Sequence, residues 1–344
     1  MGPEFLLRPV EESDLPQLES LVSNIADGMT TLPEHPEHLE NRIHDSVRAF
    51  DPRIRKPAGE VYLFVLEDTG NGQLIGTSGI ISRVGGFDPF YTYKVKSSLQ
   101  EYEPLNIHNT LRTLELIRNH KGPSEICSLF LHPDYRQKGT GKLLSLARFL
   151  FMKAFPDRFD ESVIAELRGF IDGEGKSPFW EAVGKNFFWK DYYEADVLSG
   201  IGEKDFIEAL MPDHPIYVNL LPRSAREIIG TVHPQTEPAK AILIKEGFRE
   251  SDEVDIFDAG PILQATRQDL QTWQNSGTAT LAIGKKEIAG GQPMLLANHS
   301  LEFRSTVSCA RLLEDKTLET SPETATALRL KPGEPVQFMT LQRA

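Results

Sequence analysis

The sequence predicts a mixed α+β fold, a mostly antiparallel sheet with flanking helices, and three stretches carry that expectation. The first is a hairpin, with apolar runs at 61–66 and 74–81 joined by a polar turn at 68–72. The second is 126–131, an apolar run of strand length halted at Pro133, which has no backbone donor and restricts the residue before it. The third is the Leu, Ala, Phe and Met series after Gly141, at helix length. A strand therefore feeds a glycine turn that opens a helix.

The remaining elements follow in chain order. Residues 6–10 read as a first strand, and Ser13 or Asp14 as the cap of a helix carrying Leu15, Leu18, Leu21 and Val22 at helical spacing. Residues 36–50 form a second helix, with Leu39, Ile43 and Val47 on one face, and 52–59 a loop. A helix is expected between His108 and His120, before the central strand. After the central helix, 163–167 is a further strand, and a helical insertion occupies about 169–232. Ser177 and Pro178 make a good helix start inside it, and its aromatics (Phe187, Phe188, Trp189, Tyr192, Tyr193) suit a core or subunit interface. Residues 238–246 form a helix closed by Gly247, and 248–257 a last strand. Composition shifts near Pro261, so 1–260 is expected as one domain and 261–344 as a small β-rich one, with strands at 278–284, 294–297 and 336–341.

The glycine turn invites an anion. A helix start exposes unpaired N–H groups and the positive end of its dipole. Gly139 and Gly141 let that backbone approach a phosphate closely. A Walker A loop would need Gly where Arg136 stands and Ser or Thr where Leu143 stands; the dinucleotide fingerprint would need Gly in place of Leu144. What remains is Arg136-x-x-Gly139-x-Gly141-Lys142 after a strand ending in Pro. That pattern resembles the acyl-CoA pyrophosphate loop of the GNAT superfamily of N-acyltransferases, whose strand, helix, hairpin, broken strand and helix follow the same order.

Composition narrows the partners. The 344 residues carry a formal net charge of −13 with no basic run, which argues against nucleic acid as a partner. No apolar run reaches membrane-spanning length, so no membrane partner is expected. The two cysteines, Cys127 and Cys309, form no CxxC pair, so neither a metal site nor a disulfide is indicated and a reducing cytoplasm is the expected compartment. Cys127, inside the apolar strand, is a buried small hydrophobe rather than a nucleophile.

Acyl transfer from a thioester needs a bound thioester, a neutral amine and proton traffic, and histidine is the side chain suited to the last at neutral pH. Of nine histidines, His35, His38 and His44 lie in a polar segment, His299 lies far from the motifs, and His132 follows the central strand in a loop. His214 lies within the insertion, and His233 where the insertion rejoins the domain, a junction that strand order returns toward the cleft. His233 ranks first. In the GNAT layout that the chain resembles, backbone near Leu129 and Leu131 would pair with the pantetheine arm as an added strand.

Several long collinear blocks then point further: Asp88–Val95, Ser124–Arg136, Ser177–Phe188, Ser199–Tyr217, Gly230–Phe248 and Val254–Pro261. In these blocks the chain resembles the arginine N-succinyltransferase family of bacterial arginine degradation, from about Leu7 to Leu263. The resemblance implies transfer of succinyl from succinyl-CoA to the α-amino group of L-arginine, with His233 as proton donor and Leu129 in contact with succinyl-CoA. Leu131, Arg136, Gly139, Gly141 and Lys142 complete the expected cofactor site, without metal. Ornithine or another amine is the alternative acceptor, and a catalytically silent subunit the alternative role. A homo-oligomer or a pair with a paralogous subunit is the expected assembly. Asp172, Glu181, Asp255 and Asp258 are candidate partners for a guanidinium. The chain departs from the family at Asn119, where an acidic residue is common, and at Ala259, where Gly is.

Overall fold

The computed structural model describes residues 2–23, 32, 35–136, 139–200, 204–285 and 287–341. Its first half runs β1 (Phe5–Pro9), α1 (Leu15–Val22), α2 (Pro36–Ala49), β2 (Val61–Asp68), β3 (Gln73–Ile81), β4 (Phe90–Tyr102), β5 (Ile107–Asn119), β6 (Ser124–Leu131) and α3 (Thr140–Ala154). β7 (Ser162–Glu166) follows, then the short helices α4 (Pro178–Ala182), α5 (Lys185–Phe188), α6 (Tyr192–Gly200) and α7 (Asp205–Leu210), the two-residue β8 (Ile216–Tyr217) and α8 (Arg223–Ile228). α9 (Glu237–Glu246), β9 (Arg249–Val254), β10 (Pro261–Thr266) and α10 (Gln271–Asn275) come next. The last part holds β11 (Gly277–Ile283), β12 (Gln292–Ala297), β13 (Ser305–Leu312), β14 (Thr317–Thr320), α11 (Pro322–Ala327) and β15 (Pro335–Thr340).

Among the described residues the strands join into one sheet ordered β12-β15-β11-β14-β13-β1-β2-β3-β6-β7-β10-β9-β4-β5-β8. Most pairings are antiparallel, as expected. The exceptions are β6 with β7 and β11 with β14. The parallel β6–β7 contact is brief: Ser124 faces Val163, Glu125 faces Ile164, and pairing stops there. Beyond it β6 stays bonded to β3 as far as Leu131, while β7 turns to β10 along its whole length. The sheet splits at its middle.

The predicted hairpin is β2–β3, paired from Val61–Ile81 to Asp68–Gln73. α3 lies against its inner face because the helix is apolar nearly all round: Leu143, Leu144, Ala147, Phe149, Leu150, Phe151 and Met152 are all buried in the main core with Tyr62, Phe64 and Phe303. α1 and α2 cover the other face through Leu18, Leu21, Leu39 and Ile43. The insertion is helical, as expected, and packs on a core of its own in which Trp180 lies parallel to Phe188 at 5.3 Å and near-parallel to Phe257 at 5.4 Å. Ser177 caps its first helix by accepting from Trp180 N–H, and Trp189 is left exposed. α9 ends at Gly247, whose φ of 115° is open to glycine at little cost.

Three expectations need correction. The segment between His108 and His120 is a strand, β5, paired residue for residue with β4 across thirteen positions. The outer half of this hairpin is exposed on both faces, so no apolar alternation marks it in the sequence. The strand read at 248–257 stops at Val254, because Asp255 folds back to accept from the N–H groups of Phe257 and Asp258. Third, β10 belongs to the main sheet, between β7 and β9. Past Ser276, the three expected strands are joined by β13 and β14, and this part meets β1 at Leu7–Ser305.

Glu246 offers a test of how burial sets stability. Its carboxyl is 4 % exposed and accepts from Thr272 N–H at 2.6 Å, and burial pushes its pKa up to about 7. A carboxyl raised in the folded state stabilises below its unfolded pKa, and that contribution is lost as pH rises through about 7. Glu246→Gln keeps the acceptor. It should raise stability by about 1–3 kcal/mol at pH 8 and change little at pH 5, read from thermal unfolding at both pH values.

Candidate active site

The split between β6 and β7 is built by local chemistry. Ser128 adopts φ of 50°, and the β3–β6 register shifts between Thr77 and Gly79, so β6 carries a bulge at its centre. Thr77 Oγ1 donates to Ser128 O at 2.8 Å and holds the bulge. Beneath it lies Arg148 of α3, 1 % exposed, whose guanidinium donates to the carbonyls of Cys127 (3.3 Å) and Ser145 (3.1 Å) and to Ser145 Oγ (3.2 Å), with Gly79 O at 3.5 Å. Burial without a carboxylate partner pulls its pKa down to about 10. Cys127 is buried and its thiol is pushed up to about 12 by burial, in keeping with a packing role.

The separated strands open onto a cavity of about 1050 Å³. Residues of α2, β6, the segment after β7, α6, α9 and the β9–β10 corner line it. Leu129 and Arg136 are among its lining residues, so two of the expected cofactor-site residues come together there. Arg136 donates through Nε to Leu131 O at 3.1 Å and remains exposed, while Leu131 packs on the main core. Leu131, Gly139, Gly141 and Lys142 do not line this cavity; they lie at the end of β6 and the start of α3. Gly139 is the N-cap of α3 with φ of 104°, and a side chain at Gly139 or Gly141 would meet open space. The first N–H groups of the helix have no partner within it, as at any helix start.

His233 sits beside the cavity rather than in its wall. Its N–H donates to Arg168 O at 2.8 Å, Gly169 bridges Val232, and Arg168, Gln235 and Thr236 do line the cavity. His233 caps the turn Pro234–Thr236, with Nδ1 accepting from Gln235 N–H at 3.2 Å. Burial, and then the charge of Arg168, lower its pKa. His132 caps the turn Pro133–Tyr135 in the same way.

The cavity also carries acids that sequence reasoning missed: Glu125 and Glu166 line it together with Asp255 and Asp258. Burial raises the pKa of all four, and Glu166 is raised further by the charges of Glu125 and Asp255. A signal for the missed pair was present, since each glutamate interrupts or ends an apolar strand run. Asp172 and Glu181 lie elsewhere: Asp172 accepts from the N–H groups of Glu174 and Lys176 in a turn, and Glu181 pairs with Lys185. Among the described residues no three His, Cys, Asp or Glu side chains are placed to hold a metal ion, and no helix is long and apolar enough to cross a membrane.

A mostly antiparallel sheet split at a bulged central strand, with a glycine-opened helix after it, is the architecture of a GNAT-like acyl-CoA-dependent N-acyltransferase. The comparisons narrow the class. The profile of the family described as "Arginine N-succinyltransferase beta subunit" matches residues 5–272, and that of its C-terminal domain matches 278–340. The chain is 41% identical over 342 residues to the arginine N-succinyltransferase of Yersinia pestis (strain Pestoides F), covering 97% of each chain. It is 40% identical over 338 residues to that of Shigella flexneri serotype 5b (strain 8401), covering 98% of each. The solved structure of arginine/ornithine succinyltransferase subunit AI from Pseudomonas aeruginosa superposes with a TM-score of 0.89 at 35% identity, covering 99% of this chain and 100% of that one. The chain belongs to the arginine N-succinyltransferase family. Kinship thus extends through the C-terminal strands, well past Leu263.

Arg148 carries the geometry of the split, so Arg148→Met should destabilise the protein by about 2–5 kcal/mol through unsatisfied strand carbonyls. Urea unfolding measures it, and an effect below about 0.5 kcal/mol would remove the strut role from this side chain.

Proposed function

We propose that this protein transfers the succinyl group of succinyl-CoA to the α-amino group of L-arginine, releasing CoA and N2-succinylarginine, as the names of its relatives suggest. The observation that carries the reading is the freed edge of β6, which runs from an acid-lined cavity toward the glycine-capped N-terminus of α3. In this reading the pyrophosphate lies at Arg136, Gly139, Gly141 and Lys142, where helix dipole, N–H groups and two cationic side chains oppose its charge. The pantetheine arm pairs with the edge at Leu129 and Leu131 as an added strand, and an N–H there faces the thioester oxygen as charge develops on it.

The neutral α-amine attacks the thioester carbonyl, a C–N bond forms and the C–S bond breaks. His233 handles the proton. With Nδ1 accepting from Gln235 N–H, the neutral ring carries its proton on Nε2, which passes it to the departing thiolate in the same step as the ammonium formed by attack returns one to the ring. Its lowered pKa keeps the ring neutral to a lower pH than an ordinary histidine, so it is ready across the neutral range.

Thiolate is a fair leaving group, so His233→Ala should slow CoA release on the order of 10²–10⁴-fold rather than abolish it. Thiol-release kinetics with arginine and succinyl-CoA measure this, and an unchanged rate would take the role from His233. The same assay with arginine, ornithine and lysine tests the acceptor. Arginine as the poorest of the three would favour the second reading, ornithine, which the name of the Pseudomonas relative supports. Protein that binds CoA but turns over none of the amines would be the silent subunit of the alternative role.

We further place the protein in the cytoplasm as a homo-oligomer or a pair with a paralogous subunit. The exposed apolar side chains Leu99, Tyr102, Leu105 and Ile107 at the free end of β4–β5, with Trp189 on the insertion, support association.

A further inference from the structure

The transfer reading leaves two cavity carboxylates unused, and their placement is specific. Glu125 is 4 % exposed, lines the cavity, and among the described residues its carboxylate makes no hydrogen bond or ion pair. Glu166 likewise lines the cavity without such a partner among those residues. The register places them together. Glu125 faces Ile164 in the parallel pair, and Glu166, two residues on in β7, projects to the same side as Ile164. The two acids therefore flank the vertex at which β6 and β7 part. The neighbouring aspartates are already engaged: Asp258 accepts from Gly169 N–H and Gly260 N–H at 2.7 Å each, and Asp255 Oδ1 accepts from Phe257 and Asp258.

Carboxylates set in a cavity wall with no donor among the described residues lose part of their hydration, a cost that a cationic ligand would offset. Two carboxylates side by side in a roomy cavity can serve a cation with several donors. A guanidinium is planar, weakly hydrated and carries five N–H donors, so it can serve two carboxylates at once. An ammonium is a compact, strongly hydrated point charge and loses more on entering so enclosed a place. Distance agrees as well. Leu129 lies four positions along the same strand from Glu125, at most about 13 Å away because the bulge at Ser128 shortens the path. A glutamate side chain and an extended arginine side chain, end to end, bring the α-amine toward Leu129.

We propose that Glu125 and Glu166 form the subsite for the distal guanidinium of the acceptor and select it over acceptors ending in an ammonium or in no charge. This rests on the acyl-transfer reading for the place of the α-amine, but not for binding itself. Lys204, Arg42, Asp255 and Asp258 are the other charged groups facing the pair. Their near balance leaves the two glutamates as the elements that distinguish one cation from another.

The test compares wild type, Glu125→Gln and Glu166→Gln, with thiol release on arginine and on norvaline, which keeps the α-amine and lacks the cation. Calorimetric binding of arginine is measured alongside. Each variant should lose on the order of 10²-fold in kcat/KM for arginine, mainly through KM, with norvaline changed less than about threefold. Arginine binding should weaken in parallel. Equal losses for both substrates would show a structural role and overturn the proposal, as would wild-type arginine affinity in both variants. If wild type releases no CoA with any amine yet binds arginine in a manner the substitutions abolish, the subsite stands and the transfer reading falls. If wild type transfers to arginine and the variants do so with unchanged KM, the reverse holds.

Discussion

The structure depends on a strand that abandons one neighbour while keeping the other. β6 shares only two residue pairs with β7 but holds β3 along its length, and every feature of the cavity follows from that asymmetry. Left to itself, an unpaired strand edge in a sheet interior would close or collect water, because each free N–H and C=O demands a partner. Here the bulge at Ser128 turns the edge, Thr77 ties down one carbonyl, and Arg148 satisfies others from beneath. A buried guanidinium serving carbonyls is costly, and its lowered pKa records the cost. Holding the bulged strand apart from β7 is what that cost secures.

Much of this was legible in the residues. The hairpin β2–β3, the Pro-terminated β6, the glycine turn and α3 are short-range patterns, each set by neighbours in sequence, and they appear where expected. The β4–β5 hairpin was not legible. With its outer half wet on both faces, nothing selects apolar residues at alternate positions, and Leu111, Leu114 and Ile117 mimic helical spacing. The corner at Asp255 was missed for a different reason: a side chain capturing two N–H groups ends the strand, and polar captures of this kind leave no periodic trace.

At the site, sequence order pointed to Leu129 and Arg136, which share the cavity, and to His233, which is tethered to its wall through Arg168. The acids were only half visible. Asp255 and Asp258 were candidates as acidic residues near the closing strand, whereas Glu125 and Glu166 hide in runs that look like core. Only the splitting of the strands turns those two positions from packing sites into a wall. The departure at Ala259 also becomes intelligible: its φ of 57° is where glycine is at ease, and here a methyl group is held there, fully buried, with its carbonyl accepting from Gly230 N–H.

The junction of β13 with β1 has a consequence for solubility. Without the C-terminal strands, β1 would be the outermost strand of the main sheet, offering bare N–H and C=O groups to any passing chain. Ser305 faces Leu7, Thr306 Oγ1 donates to Phe5 O at 2.6 Å, and Phe303 and Leu295 enter the main core. The C-terminal strands thus act as a selvedge, finishing the fabric where it would otherwise fray into fibres.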